Sequence, residues 1–136
     1  MRTHDHTIRV ATTSLMACVD PVQVERIVEN LFTNAVRHTP PGTIVVASVE
    51  RITDGVLIIV DDDGPGVPEE LREDIFNAFV QSDHTVQFGR GTGIGLSVVT
   101  KFAELHGGRA WVETSPAGGA RFCVMLQDDS VETAVA

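Results

Sequence analysis

The chain has no surplus of positive charge: ten Lys and Arg stand against nineteen Asp and Glu, giving a formal net charge of -9. A polyanion needs a basic face, so nucleic acid is excluded as a general partner, and any anionic ligand must be held locally. No apolar run of about 18 residues occurs, which leaves no candidate membrane-spanning helix. The polar start MRTHDHT lacks the apolar core of a secretory signal. The expected compartment is therefore the cytoplasm, with any membrane anchor lying in segments outside this chain. Cysteine is scarce: Cys18 and Cys123 sit in separate apolar, strand-like runs rather than in a CxxC pair. Both read as small buried hydrophobes without redox or metal roles.

What remains is an ordinary globular composition. The 136 residues, 43% hydrophobic and 21% charged, suffice for one domain and are too few for two. The expected domain covers 7–127, between a disordered segment at 1–6 and a flexible acidic tail at 128–136. TIRVAT and LMACV suggest a strand pair within 7–19. Asp20-Pro21 reads as a cap followed by the first helical position. Val24, Val28, Leu31 and Ala35 then recur at helical spacing until Pro40-Pro41-Gly42. The β-branched runs 43–52 and 55–60 suggest a hairpin turning at Thr53-Asp54. A short helix opened by Pro68 is expected over 68–79, and a long polar, glycine-rich loop over 81–93. A helix from Ile94 to about His106 stops at Gly107-Gly108, and strands 109–114 and 120–126 flank the turn SPAGG.

Three patterns carry chemistry. Asn30 and Asn34 lie one helical turn apart, so both amides project from one face. Amide oxygens are neutral hard ligands, suited to completing the shell of a Mg²⁺ held mainly by phosphate oxygens and water. Two asparagines satisfied near a helix end fit the same spacing. VDDDGPGVP at 60–68 ends a buried strand in carboxylates, followed by glycines where backbone can approach a planar ligand. One buried carboxylate there could accept from an exocyclic amine; an acidic turn, or a metal held by Asp61, Asp62 and Asp63, are the other readings. Alternation along a strand disfavours the metal, because it sends neighbouring side chains to opposite faces. GRGTGIGLS at 89–97 is a glycine run entering a helix, where free N–H groups favour phosphate oxygens. It is neither a GxxxxGK[ST] loop nor a good dinucleotide fingerprint.

Taken together, in this order and at these separations, the patterns resemble the ATP-binding domain of sensor histidine kinases. ENLFTNAVRHT at 29–39 is similar to the family's N box, DDGPG at 62–66 to its first glycine box, IFNAF at 75–79 to its F box, and GRGTGIGL at 89–96 to its second glycine box. The closing HGGRAWVETSPAGGARFCVML resembles the family's last strands, so the likeness spans nearly residues 8–127. It implies a Bergerat fold: a two-layer α/β sandwich with a mixed, mostly antiparallel sheet on about three helices and a mobile ATP lid at 80–92. It implies ATP and Mg²⁺ as cofactors. Asn30 and Asn34 would engage Mg²⁺ and the phosphates, Arg37 the triphosphate, and His38 would lie beside the nucleotide. Asp62 would take the adenine amino group, with Gly64, Gly66 and Val67 around the ring. Arg90, Gly91, Thr92, Gly93, Ile94, Gly95 and Leu96 would close over the phosphates. Ala120 departs from the family's usual threonine, which puts one hydrogen bond near adenine in doubt; a water could stand in for it.

The same fold resembles that of gyrase, heat-shock chaperone and mismatch-repair ATPases, so fold alone does not choose the reaction. In those ATPases a glutamate one turn before the metal-binding asparagine activates water; here that position is Asn30, whose amide cannot accept a proton. Glu29 is rotated by about 140° from Asn34 around the helix. Slow hydrolysis is expected, and the catalytic set (Asn30, Asn34, Arg37) is expected to serve γ-phosphoryl transfer to a histidine by positioning and charge neutralisation. None of His4, His6, His38, His84 and His106 resembles the family's phosphoacceptor. His4 and His6 read as tag-like, and His106 as a helix-end residue. The resemblance therefore implies a separate dimerisation and phosphoacceptor domain as partner, and indirectly a response regulator, with no membrane contact by this domain and a monomeric state in isolation. A short kinase acting in trans, a related ATPase and an anti-sigma serine kinase are the alternatives. Phe76 and Phe79 fit either an apolar surface for that partner domain or ordinary core.

Overall fold

The computed structural model describes residues 2–3, 6–10, 17–77 and 93–128. The strands are β1 (Arg2–Thr3), β2 (His6–Val10), β3 (Ile44–Ile52), β4 (Gly55–Asp62), β5 (Arg109–Thr114) and β6 (Ala120–Gln127), and the helices are α1 (Pro21–His38) and α2 (Gly93–Leu105). The strands form one sheet in the order β1-β2-β3-β4-β6-β5. β2 and β3 run parallel, and every other neighbouring pair is antiparallel. Both helices cover one face, giving a two-layer α/β sandwich.

Strand alternation sorts the two faces. Val56, Ile58 and Val60 of β4 and Phe122, Val124 and Leu126 of β6 enter the core beneath the helices. On the opposite face the cross-strand row Trp111, Cys123 and Ile59 forms a smaller apolar patch. Cys123 is buried there, and burial pushes its thiol up to about 12. Cys18 behaves differently from the expectation: it is exposed, in irregular chain ahead of α1. The strand pair expected over 7–19 is replaced by β2 alone, with Ala17–Asp20 outside any strand and 11–16 outside the described residues.

Helix α1 starts where the sequence indicates. The Asp20 carboxylate accepts the N–H groups of Val22 and Gln23 at 3.0 and 3.2 Å, and Pro21 occupies the first position. Its buried stripe is Ile27, Leu31, Asn34 and Ala35. Val28, expected in the stripe, is only half-buried, because the buried face is turned by about 45°, half a residue step, from the direction that the apolar spacing suggests. That rotation carries Asn34 into the interior.

The helix expected over 68–79 is instead, within the described residues, two single 3-10 turns, Glu69–Leu71 and Asp74–Phe76. Each closes with i to i+3 bonds, such as Asn77 N to Asp74 O at 3.0 Å, and the backbone is extended at Asn77. The turns are held by burial of Leu71, Ile75 and Phe76 rather than by helix propagation. Phe76 meets the Phe122 ring edge-on at a centroid distance of 6.1 Å, so it belongs to the core and not to a surface; Phe79 lies outside the described residues.

The ends of the expected domain also shift. His6 is buried at the start of β2, and Arg2–Thr3 pairs with His6–Thr7, so the tag-like reading of His6 and the disorder expected at 1–6 do not hold for these residues. Asp128 is fully buried rather than part of a loose tail. Its carboxylate accepts from Cys18 N at 2.9 Å and from Arg51 at 3.0 Å, tying the end of β6 to the approach to α1. No helix among the described residues is long and apolar enough to cross a membrane.

Candidate functional site

A cavity opens between the C-terminal end of α1 and the ends of β4 and β6 that face it. It is lined by Asn34, Ala35, His38, Thr39, Asp62, Pro65, Gly66, Val67, Ile75, Leu96, Ala120 and Phe122. The sequence-derived candidates Asn34, His38, Asp62, Gly66, Val67 and Leu96 are thus brought together from positions up to 62 residues apart. Ala35, Thr39, Pro65, Ile75 and Phe122 were not anticipated as lining, whereas Ala120 was expected near the adenine. Ala120 and Phe122 share the inward parity of Val124 and Leu126, a signal that strand alternation already held.

Asp62 is the polar centre. It ends β4 on the inward face, 4% exposed. Its Oδ1 accepts the N–H groups of Gly64 at 2.9 Å and Ala120 at 3.1 Å. Its Oδ2 takes no hydrogen bond from the described residues, although the side chain lines the cavity. Burial holds the carboxyl above its ordinary value of 3.8, opposed by the Ala120 and Gly64 N–H groups and reinforced by the charges of Asp63 and Asp61. The three carboxylates are separated as alternation requires. Asp61 faces outward in a two-pronged pair with Arg121 at 2.7 and 2.9 Å, and Asp63 accepts from Ile44 N at 2.8 Å. A metal held by the triplet is therefore excluded. Among the described residues no group of three His, Cys, Asp or Glu could hold an ion.

Sequence reading missed the support beneath Asp62. Buried Ser115 donates its hydroxyl to the Asp62 carbonyl at 2.8 Å and accepts Gly119 N–H at 2.9 Å. A Cβ on Gly119 would run into Asp62 O and Oδ1, so only glycine lets the β5–β6 turn close on β4. Ala120 takes part through its backbone N–H, so that bond is indifferent to the threonine that the family usually has there. Gly66 turns the chain out of the site with a φ of 79°, a left-handed conformation natural to glycine.

At the other end, Asn34 is buried and lines the cavity, whereas Asn30 is half-buried and leans toward α2. Its Oδ1 lies 3.3 Å from where a Cβ on Gly95 would stand, in the first turn of α2. The first turn of α2 thus approaches Asn30, and His38 lines the cavity with Asn34, whereas Asn30 and the exposed Arg37 do not line it. Neutral amide oxygens beside a helix N-terminus suit a cation brought in with phosphate oxygens rather than one held by protein alone. Gly93 and Ile94 open α2, but the side chain of Ile94 is not described; Arg90, Gly91, Thr92 and the rest of the expected lid lie outside the described residues. Glu29 is exposed. His106 spans the opposite end of the molecule, its Nδ1–H donating to Phe102 O at 2.9 Å and its Nε2 accepting from Asp20 N at 3.0 Å. His4 and His84 lie outside the described residues.

Residues 19–130 match the family described as histidine kinase-, DNA gyrase B-, and HSP90-like ATPase. The chain is 42% identical over 122 residues to the sensor histidine kinase TmoS of Ectopseudomonas mendocina, covering 88% of this chain and 12% of that protein. It is 40% identical over 111 residues to the alginate biosynthesis sensor protein KinB of Pseudomonas aeruginosa, covering 79% of this chain and 18% of that one. Among solved structures, the ATP binding domain of PrrB from Mycobacterium tuberculosis superposes with a TM-score of 0.71 at 32% identity, covering 91% of this chain and 81% of that one. The chain thus spans under a fifth of the length of these two curated relatives and most of the length of the solved domain.

Proposed function

The chain belongs to the histidine kinase-, DNA gyrase B-, and HSP90-like ATPases, as an ATP-binding domain of the sensor histidine kinase type, and from that premise we propose that it binds Mg-ATP and donates the γ-phosphoryl group to a histidine on a separate dimerisation domain. The observation that carries this reading is the cavity with a buried carboxylate at its floor, one oxygen open, with Asn34 at its wall and Asn30 beside the first turn of α2. Adenine would bind at the floor, where Asp62 supplies the acceptor. Its amino group would donate to Asp62 Oδ2, with Gly66, Val67 and Ala120 beside the ring. The triphosphate leaves toward the α2 N-terminus, where Asn30, Asn34 and Arg37 hold it. A Mg²⁺ bound there would neutralise phosphate charge, and Asn30 and Asn34 would be its protein ligands.

In the transfer step an imidazole nitrogen of the partner domain attacks the γ-phosphorus. An N–P bond forms, the bond to the bridging oxygen breaks, ADP leaves, and the imidazole gives up its proton. This chain orients and stabilises; it contributes no nucleophile. Water attack is disfavoured because Asn30 stands where a base is needed and the exposed Glu29 points away. We place the domain in the cytoplasm, where ATP and a downstream response regulator are available.

Calorimetric titration with ATP, with and without Mg²⁺, tests the binding. Wild type is expected to bind far better with Mg²⁺, and Asn34→Ala to lose that dependence. The isolated chain is expected to take up almost no acid-labile phosphate, but to label an added dimerisation domain. Normal Mg-ATP binding by Asn34→Ala would remove the metal assignment, and phosphate release at ordinary ATPase rates would replace the kinase reading with hydrolysis.

A further inference from the structure

His6 reaches the cavity wall from β2 through Thr39. It is 2% exposed, and its Nε2 lies 2.7 Å from Thr39 Oγ1 and 3.2 Å from Thr39 O. The hydroxyl proton of Thr39 is already directed to Ala35 O at 2.6 Å, and a carbonyl oxygen only accepts. Nε2 must therefore be the donor in both contacts. Thr39 is the C-cap of α1 and lines the cavity; its Cγ2 lies 2.7 Å from where a Cβ on Gly64 would stand. Gly64 in turn donates to Asp62 Oδ1. A continuous chain of contacts thus runs from β2 through the end of α1 to the Asp62 turn.

We propose that His6 is a positioning residue for nucleotide binding: by donating to Thr39 it fixes the end of α1 and the Gly64 turn in the spacing that adenine requires. This rests on the nucleotide reading of the cavity. The seating of the first strands then sets affinity, because chains in which Thr39 is released hold the cavity in a binding-competent shape for only a fraction of the time. Gln at position 6 places an amide N–H where Nε2–H stands, whereas Phe fills the volume without a donor.

The test is Mg-ATP titration of the chain below its melting temperature, with wild type, His6→Gln, His6→Phe, Thr39→Val and the double variant His6→Phe/Thr39→Val. Loss of this hydrogen bond is expected to weaken binding by about 3- to 10-fold in His6→Phe, with His6→Gln restored to within about 2-fold of wild type. The double variant is expected to bind little worse than Thr39→Val, since both changes break the Nε2–Oγ1 bond. Wild-type affinity in His6→Phe, failure of Gln to rescue, or full additivity in the double variant overturns the positioning role. Should His6→Phe not fold, melting of His6→Gln together with unaltered affinity in Thr39→Val overturns it as well. A wild-type chain that does not bind Mg-ATP removes the nucleotide reading itself, which is a different result.

Discussion

Exchanging Asp62 for asparagine changes one atom and reverses the hydrogen-bonding sense of the cavity floor. Gly64 N–H and Ala120 N–H both point at Oδ1, so the amide must place its carbonyl oxygen there and turn its NH₂ into the Oδ2 position. The cavity then offers a donor where ATP also brings a donor. A hydrogen bond to a charged group contributes about 1.5–3 kcal/mol, so its loss alone weakens ATP by about 10- to 150-fold. ITP, whose base carries a carbonyl in place of the amine, should bind Asp62→Asn better than ATP does, inverting the wild-type order. The unliganded protein should move the other way. Burial raises the folded-state pKa of Asp62 above its ordinary 3.8, so the folded chain holds that proton more tightly than the unfolded chain. Stability from this group is present at low pH and lost as pH rises from 3.8 through the raised value. The amide removes that loss, and Asp62→Asn should melt higher than wild type at neutral pH. Calorimetry with both nucleotides and thermal melts at pH 4 and pH 7 measure all of this. An ATP affinity within about 3-fold of wild type in a folded Asp62→Asn protein would refute the assignment of Oδ2 to the base.

Asp61→Asn, one residue away, should leave nucleotide affinity unchanged and cost about 1 kcal/mol or less in a denaturant melt, because its pair with Arg121 lies partly exposed on the opposite face. Ser115→Ala strands the Gly119 N–H and the Asp62 carbonyl in a buried position; a loss of about 1–3 kcal/mol in stability together with weaker ATP binding is expected, and unchanged binding would show that Ser115 supports only the turn. Leu31→Ala, at a fully buried position, should cost about 2–5 kcal/mol through lost contact and an unfilled hole.

How much of this was legible beforehand depends on how local the cause is. The cap of α1, the two-residue β3–β4 turn at Thr53-Asp54, and strands β5 and β6 follow from propensity and patterning within a few residues, and each is found at or within two residues of its expected place. The spaced motifs around Asn34, Asp62 and Leu96 announced the site because they combine residue types whose chemistry is distinctive. The 68–79 segment was misread because Pro68 and the following acids satisfy the rules for starting a helix, while what holds it is burial of three side chains against α2 and β6. The exposure of Cys18 and the burial of His6 and Asp128 depend on partners 33 to 110 residues distant, which no local window contains.

The sequence by itself determined the periodicities, the caps, the glycine turns and the motifs from which an adenine-nucleotide site is proposed, because these are properties of neighbouring residues. Only the tertiary structure decided that Asp61, Asp62 and Asp63 part company, that Ser115 and the Ala120 N–H shape the site floor, and that a histidine near the start of the chain braces its wall. Those outcomes rest on strand register and helix rotation, which are set when the whole core closes at once.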